Sequence, residues 1–225
     1  FVLYVKSVWK EPLIFGNLHL MKRTKRRYIK DILVIGFPPA VQDALFSAIS
    51  MVIARLIAGW GDAAVAVQKV GSQIESISWM TAGGFSTAVN AFVAQNYGAD
   101  KPERIKKGVQ TATGIMAAWG LFTSFLLLTF PDFFFRIFIT EKDVIPMGVE
   151  YLRIIGISEI FMCLEAVATG AFQGMGRTVP PSVTGVLFNT LRIPGAMLLS
   201  STVLELNGDW WTLTLSCILK GTVLP

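Results

Sequence analysis

The stretch GFPPAVQDALFSAISMVIARLIAG, Gly36 to Gly59, decides the fold. It is apolar over a length that crosses a lipid bilayer, for which a helix needs about 20 residues. Yet it carries Pro38, Pro39 and an acid, Asp43. Within it Gly36, Ala40, Asp43, Ser47, Ser50 and Ala54 recur at helical steps of three and four, so one stripe is small or polar. Leu45, Ile49, Met51, Ile53 and Leu56 lie opposite. This pattern predicts a helix that turns Asp43 inward and its bulk toward lipid or packing. Pro39 supplies no amide hydrogen, so the carbonyl one turn earlier loses its partner. In a membrane that carbonyl must find another donor or line water. Kink and carboxylate together read as a hydrated pocket. The alternative is a buried Asp bonded to neighbours such as Gln42 for packing specificity.

The rest of the chain has the same character. It is 53% hydrophobic and 16% charged, with a mean hydropathy of +0.57, whereas soluble domains are about a quarter charged. Further apolar runs lie at roughly 64–96, 108–130, 144–173 and 181–204, and a sixth begins near 210. Residues 1–5 read as the end of a preceding span, and 7–20 as a segment lying along the interface. Basic residues collect before the first full span (KRTKRR, 22–27), in NYGADKPERIKKG and at Arg177. The connections Gly59–Ala63 and ELNGD have none, and PDFFFRIFITEKDV is net acidic. This alternation places the basic loops in the cytoplasm. The net charge of +5 is therefore a topology signal rather than a nucleic-acid footprint. The lone His19 and the two cysteines, Cys163 and Cys217, sit in no metal-ligand or catalytic spacing.

Charges inside spans cost several kcal/mol and mark sites. Glu75 shares a face with Gln68, Ser72, Ala82, Ser86 and Asn90. Glu165 shares one with Ser158, Thr169 and Gln173; Glu159 lies on another with Cys163, Ala166 and Gly170. Asn189 and Arg192 are one turn apart, ahead of Pro194. Arg192 is always charged, and its expected role is counter-ion to one of these acids. Gln42, Asp43, Ser47, Glu75, Glu159, Glu165, Asn189 and Arg192 form the candidate site for a cation, a proton or a substrate. An acid-lined cavity concentrates cations. A carboxylate neutralised in turn by proton, metal or organic cation makes those species compete, which is the physical basis of exchange. GAFQG, Gly170–Gly174, fits a small-xxx-small helix contact or a helix stop.

GFPPAVQDALFS, AVAVQKVGSQIESISWMTAGGFSTAVNAFVAQNYGADKPERIKKG, AFQGMGRTVPP and FNTLRIPGAMLL together resemble the multidrug and toxic compound extrusion (MATE) family, from about Ile29 onward. The resemblance implies an all-α membrane protein of twelve helices in two six-helix lobes. This chain would be the second lobe, helices seven to twelve, with its last helix truncated: 1–30 the end of a preceding helix plus a basic cytoplasmic linker, 31–225 the lobe. It further implies a multi-pass antiporter of a prokaryotic cytoplasmic membrane, not an enzyme. Such a protein exports organic cations against sodium ions or protons, with no other cofactor, and its partners are the lipids and the missing N-terminal lobe. The family's sodium-binding acids fall near Phe46 and Met162, neither of which is acidic, so the resemblance leaves two readings: Asp43 and Glu165, one turn away, hold the sodium ion in shifted geometry, or the coupling site lies in the missing first lobe. Two other functions fit the composition: a flippase of lipid-linked saccharides, whose cavity would be basic, and a non-transporting scaffold. A half-length protein pairing with a second copy would give the same architecture.

Overall fold

The computed structural model describes residues 26–139, 141 and 144–224, so the expectations for residues 1–25 lie outside it. The chain divides into a unit ending at Val34 and a compact unit from Ile35 onward. In the first, residues 26–34 are helical. No strand occurs among the described residues.

The first apolar run is the helix α1, Arg26–Ala58, with both prolines inside it. Gly61, at φ 105°, turns the chain into α2, Asp62–Gly98. That left-handed conformation favours glycine. Asp100 makes the next turn, and Pro102 opens α3, Pro102–Thr129. Proline suits this first helical position because its missing amide hydrogen would have no partner there. Pro131 likewise opens the short α4, Pro131–Phe138. The run at 144–173 is two helices, α5 Ile145–Gly156 and α6 Glu159–Gly174, bent by 44° at the break between them. The run at 181–204 is also two, α7 Val179–Thr190 and α8 Arg192–Ser200. Pro194 offers no amide hydrogen to the Thr190 carbonyl, where α7 ends. The last element is α9, Leu206–Val223.

Among the described residues three helical stretches are long and apolar enough to cross a membrane: Arg26–Ala58, Pro102–Thr129 and Val179–Ser200. The bent pair α5–α6 makes a fourth. The expected second and sixth spans are helical as α2 and α9 but fall short of that apolarity. On α2 the reason is visible in Gln68, Lys69, Ser72, Gln73, Glu75 and Ser76, which crowd its first half.

Two apolar clusters hold the unit from Ile35 together. One joins Ile49, Ile53 and Ile57 of α1 to Val67, Phe135, Tyr151, Leu152 and Trp210. The other joins Val89 and Val93 of α2 to Met116, Cys163 and Val167. Helices approach closely through small residues, as bilayer packing requires. Gly170 and Gly174 of α6 lie on the α2 backbone at Ser86 and Asn90, while Gly120 of α3 lies on Ile160. GAFQG is thus the helix contact, and the stop follows at Gly176, φ 72°. Large apolar side chains such as Met51, Ile77, Phe122 and Leu198 face outward, as a lipid-facing surface allows.

Candidate transport site

At the break between α5 and α6 three consecutive carbonyls each accept a side-chain hydroxyl, and Ile155 O also takes the Ser158 amide hydrogen at 2.8 Å. Thr214 of α9 donates to Ile154 O (3.0 Å), Ser158 to Ile155 O (2.8 Å) and Ser124 of α3 to Gly156 O. Non-helical backbone at membrane depth persists only where such groups serve it.

Glu159 is the first residue beyond the break and is 2% exposed. Its Oε2 accepts a hydrogen bond from Ser78 Oγ on α2 at 2.5 Å, and Thr123 of α3 stands beside it. One turn earlier on α2, Glu75 Oε1 accepts from Tyr151 OH of α5 at 2.5 Å. A side chain at Gly71 would overlap the Tyr151 ring, so this glycine makes room for the phenol to reach the acid. The other side of the ring meets Trp210 edge-on, centroids 5.1 Å apart. Glu75 lies within electrostatic reach of both Glu159 and Arg192.

Arg192 is 7% exposed. It donates to Ser216 Oγ (2.8 Å) and Cys217 Sγ (3.5 Å) and sits 5.7 Å from the Phe46 ring centroid. No carboxylate comes within ion-pair distance of it among the described residues, which corrects its expected role as a direct counter-ion. That role belongs to Lys220 of α9, whose Nζ lies 3.2 Å from Glu165 Oε2. Asn189 is buried, with its Oδ1 unpartnered.

On α1 the two edges face opposite ways. The bulky edge, Ile49, Ile53 and Ile57, packs into the core, while Asp43, Ser47, Ser50 and Ala54 lie exposed on the surface of the unit. Asp43 makes no ion pair among the described residues; Ser47 Oγ donates to its backbone carbonyl at 2.9 Å. The Gln42 amide lies against Gly185 of α7, where a side chain would overlap it. No three acids, histidines or cysteines converge on a metal position among the described residues. Asp43 and Glu165 therefore belong to no such cluster.

The carbonyl freed by Pro39 is that of Ile35. Thr178 Oγ1, just ahead of α7, donates to it at 2.9 Å. The freed carbonyl is thus served by a hydroxyl from the protein rather than left to water. Thr178→Val is expected to destabilise the full-length protein by about 1 kcal/mol, the net worth of one hydrogen bond. Thermal unfolding in detergent measures it, and a parental melting temperature would show that this bond contributes nothing.

Sequence reasoning found the acids but not Tyr151, Ser78 or Lys220. For Lys220 a signal existed: a lone charge in the apolar run SCILKG requires a partner.

Known proteins similar to this chain complete the picture. A probable multidrug resistance protein NorM of Thermotoga maritima is 27% identical over 196 residues, 86% of this chain and 42% of its own length. The human multidrug and toxin extrusion protein 1 is 27% identical over 145 residues, 64% of this chain and 25% of its own. A solved structure described as MATE in the bent conformation superposes with a TM-score of 0.85 at 17% identity, covering 98% of this chain and 51% of that one. The chain thus spans less than half of these two relatives and about half of the solved structure. Residues 38–198 match the MatE family. With apolar helices in the family's arrangement, this chain is a multi-pass membrane protein and belongs to the MatE family.

Proposed function

We propose that this chain is one lobe of a cation-coupled antiporter that exports organic cations from the cytoplasm, with sodium ions or protons as the coupling species. The observation that carries the reading is the pair Glu75 and Glu159, set among packed helices beside a broken span. Each accepts a hydrogen bond from one protein hydroxyl, whereas a carboxylate offers about four acceptor positions. The remaining capacity suits an exchangeable proton or cation. Arg192, buried nearby, supplies a fixed positive charge that keeps a second cation from settling permanently. The names of the relatives, which concern multidrug resistance and toxin extrusion, support the direction of transport.

Ethidium efflux from cells expressing the full-length gene tests this. The parent is expected to lower intracellular ethidium. Glu159→Gln, which keeps shape and the Ser78 contact but removes the charge, is expected to reduce efflux at least tenfold at unchanged expression. Such a loss corresponds to about 1.4 kcal/mol of coupling. Asp43→Asn, on the exposed stripe of α1, is the second arm. A parent that fails to export ethidium and other organic cations rejects the exporter. Full efflux from both variants removes Glu159 and Asp43 from the mechanism.

A further inference from the structure

The sequence places the α2–α3 connection, with Lys101, Arg104, Lys106 and Lys107, on the cytoplasmic side. From there a groove of about 500 Å³ runs along the seam between α2 and α3. Arg104 and Lys107 stand at its mouth, Phe85 and Phe92 form one wall, and Ala112 and Ile115 form the other. Gly108 keeps the groove shaped at this level, since a side chain there would overlap the Phe92 ring.

We propose that this groove is a binding site for one anionic phospholipid of the cytoplasmic leaflet. The phosphate sits between Arg104 and Lys107, and an acyl chain lies along the seam. The dimensions fit. From Arg104 to Ile115 the helix rises about 16 Å at 1.5 Å per residue, close to the ~15 Å depth of one hydrocarbon leaflet. The charges fit as well. The cytoplasmic leaflet carries the anionic lipids, and basic pockets between helices on that side bind their headgroups. Both basic side chains are exposed and neither takes part in an ion pair among the described residues, so they are free to meet a phosphate. The walls are almost wholly apolar, which suits an acyl chain and gives nothing to a soluble anion.

The test is native mass spectrometry of the purified full-length protein titrated with phosphatidylglycerol or phosphatidylcholine of the same acyl chains. The expected result is retention of one phosphatidylglycerol in preference to phosphatidylcholine. Replacing both basic groups, Arg104→Ala with Lys107→Ala, is expected to weaken that binding roughly thirtyfold, the combined worth of two basic groups near the surface. Ala88→Trp, an exposed position on the same groove, blocks the chain path without touching the charges and is expected to weaken binding to a similar degree. If the double variant does not fold, the salt dependence of parental binding reads the same ion pairs. Equal retention of the two lipids, or salt-independent binding, overturns the proposal. So does full binding by Ala88→Trp, which would reduce the site to an unspecific basic surface.

Discussion

Gly170→Leu in the full-length protein is expected to abolish folding. A side chain at Gly170 would lie on the backbone carbonyl of Ser86, and one at Gly174 on that of Asn90. These two contacts, one turn apart on both helices, are where α6 touches α2. Overpacking against side chains costs about 1–3 kcal/mol because rotamers can give way. A backbone carbonyl cannot rotate aside, so the helices must separate and the seam around Val93, Cys163 and Val167 opens with them. In a bilayer, lipid fills such a gap at little cost, and nothing drives the helices back. Size-exclusion profiles and melting temperature in detergent report the outcome. Gly114→Ala serves as the control: the space beside Gly114 is open, and alanine raises helix stability by about 0.5–1 kcal/mol. A Gly170→Leu protein with parental melting behaviour would mean that α2 and α6 do not meet backbone to backbone.

The same glycines show what a linear reading of the chain reaches. Helix positions were legible because apolar runs of bilayer length leave few alternatives; the run around Gly36–Gly59 became α1, Arg26–Ala58. The breaks inside 144–173 and 181–204 were not. At Ile157–Ser158 no proline interrupts the pattern, and the bend persists because Ser124 and Thr214, from other helices, serve the freed carbonyls. That information is tertiary. Pro194 did signal the second break, though it reads equally well as a kink within one helix.

Within the site, the acids announced themselves as charges in apolar surroundings. Their partners did not. Tyr151 lies 76 residues from Glu75, and Ser78 lies 81 from Glu159; tyrosines and serines are common in membrane helices and carry no mark of pairing. The stripe on α1 was legible as a stripe, but not which edge the core would claim. A helix with a small polar edge and a bulky edge can bury either within its own unit, and here Ile49, Ile53 and Ile57 are the buried ones.

The Glu165–Lys220 pair gives the second large expected effect and separates structure from transport. Both side chains are mostly buried, at 17% and 10% exposure, and they join α6 to α9. Close by, Gly221 lies on the backbone of Phe161, so the helices hold the pair at fixed separation. Removing one partner of a buried ion pair leaves the other charge uncompensated, which costs about 3–5 kcal/mol. Glu165→Gln is therefore expected to lower the melting temperature sharply, and Lys220→Met to do the same by stranding Glu165. The double variant removes both charges and keeps the volume of the lysine stem. It should regain most of the loss, because well-packed neutral groups often match a buried pair in stability. A double-mutant cycle on the full-length protein is expected to show a strong coupling, approaching the sum of the two single losses. Additive single effects would mean that the pair does not form. Efflux by the double variant then decides what the acid is for. Lys220 already occupies the position a cation would take at Glu165, so the stable, chargeless double variant is expected to export ethidium at the parental rate. Loss of efflux from that folded protein would instead make Glu165 part of the exchange itself, with Lys220 as the cation it releases.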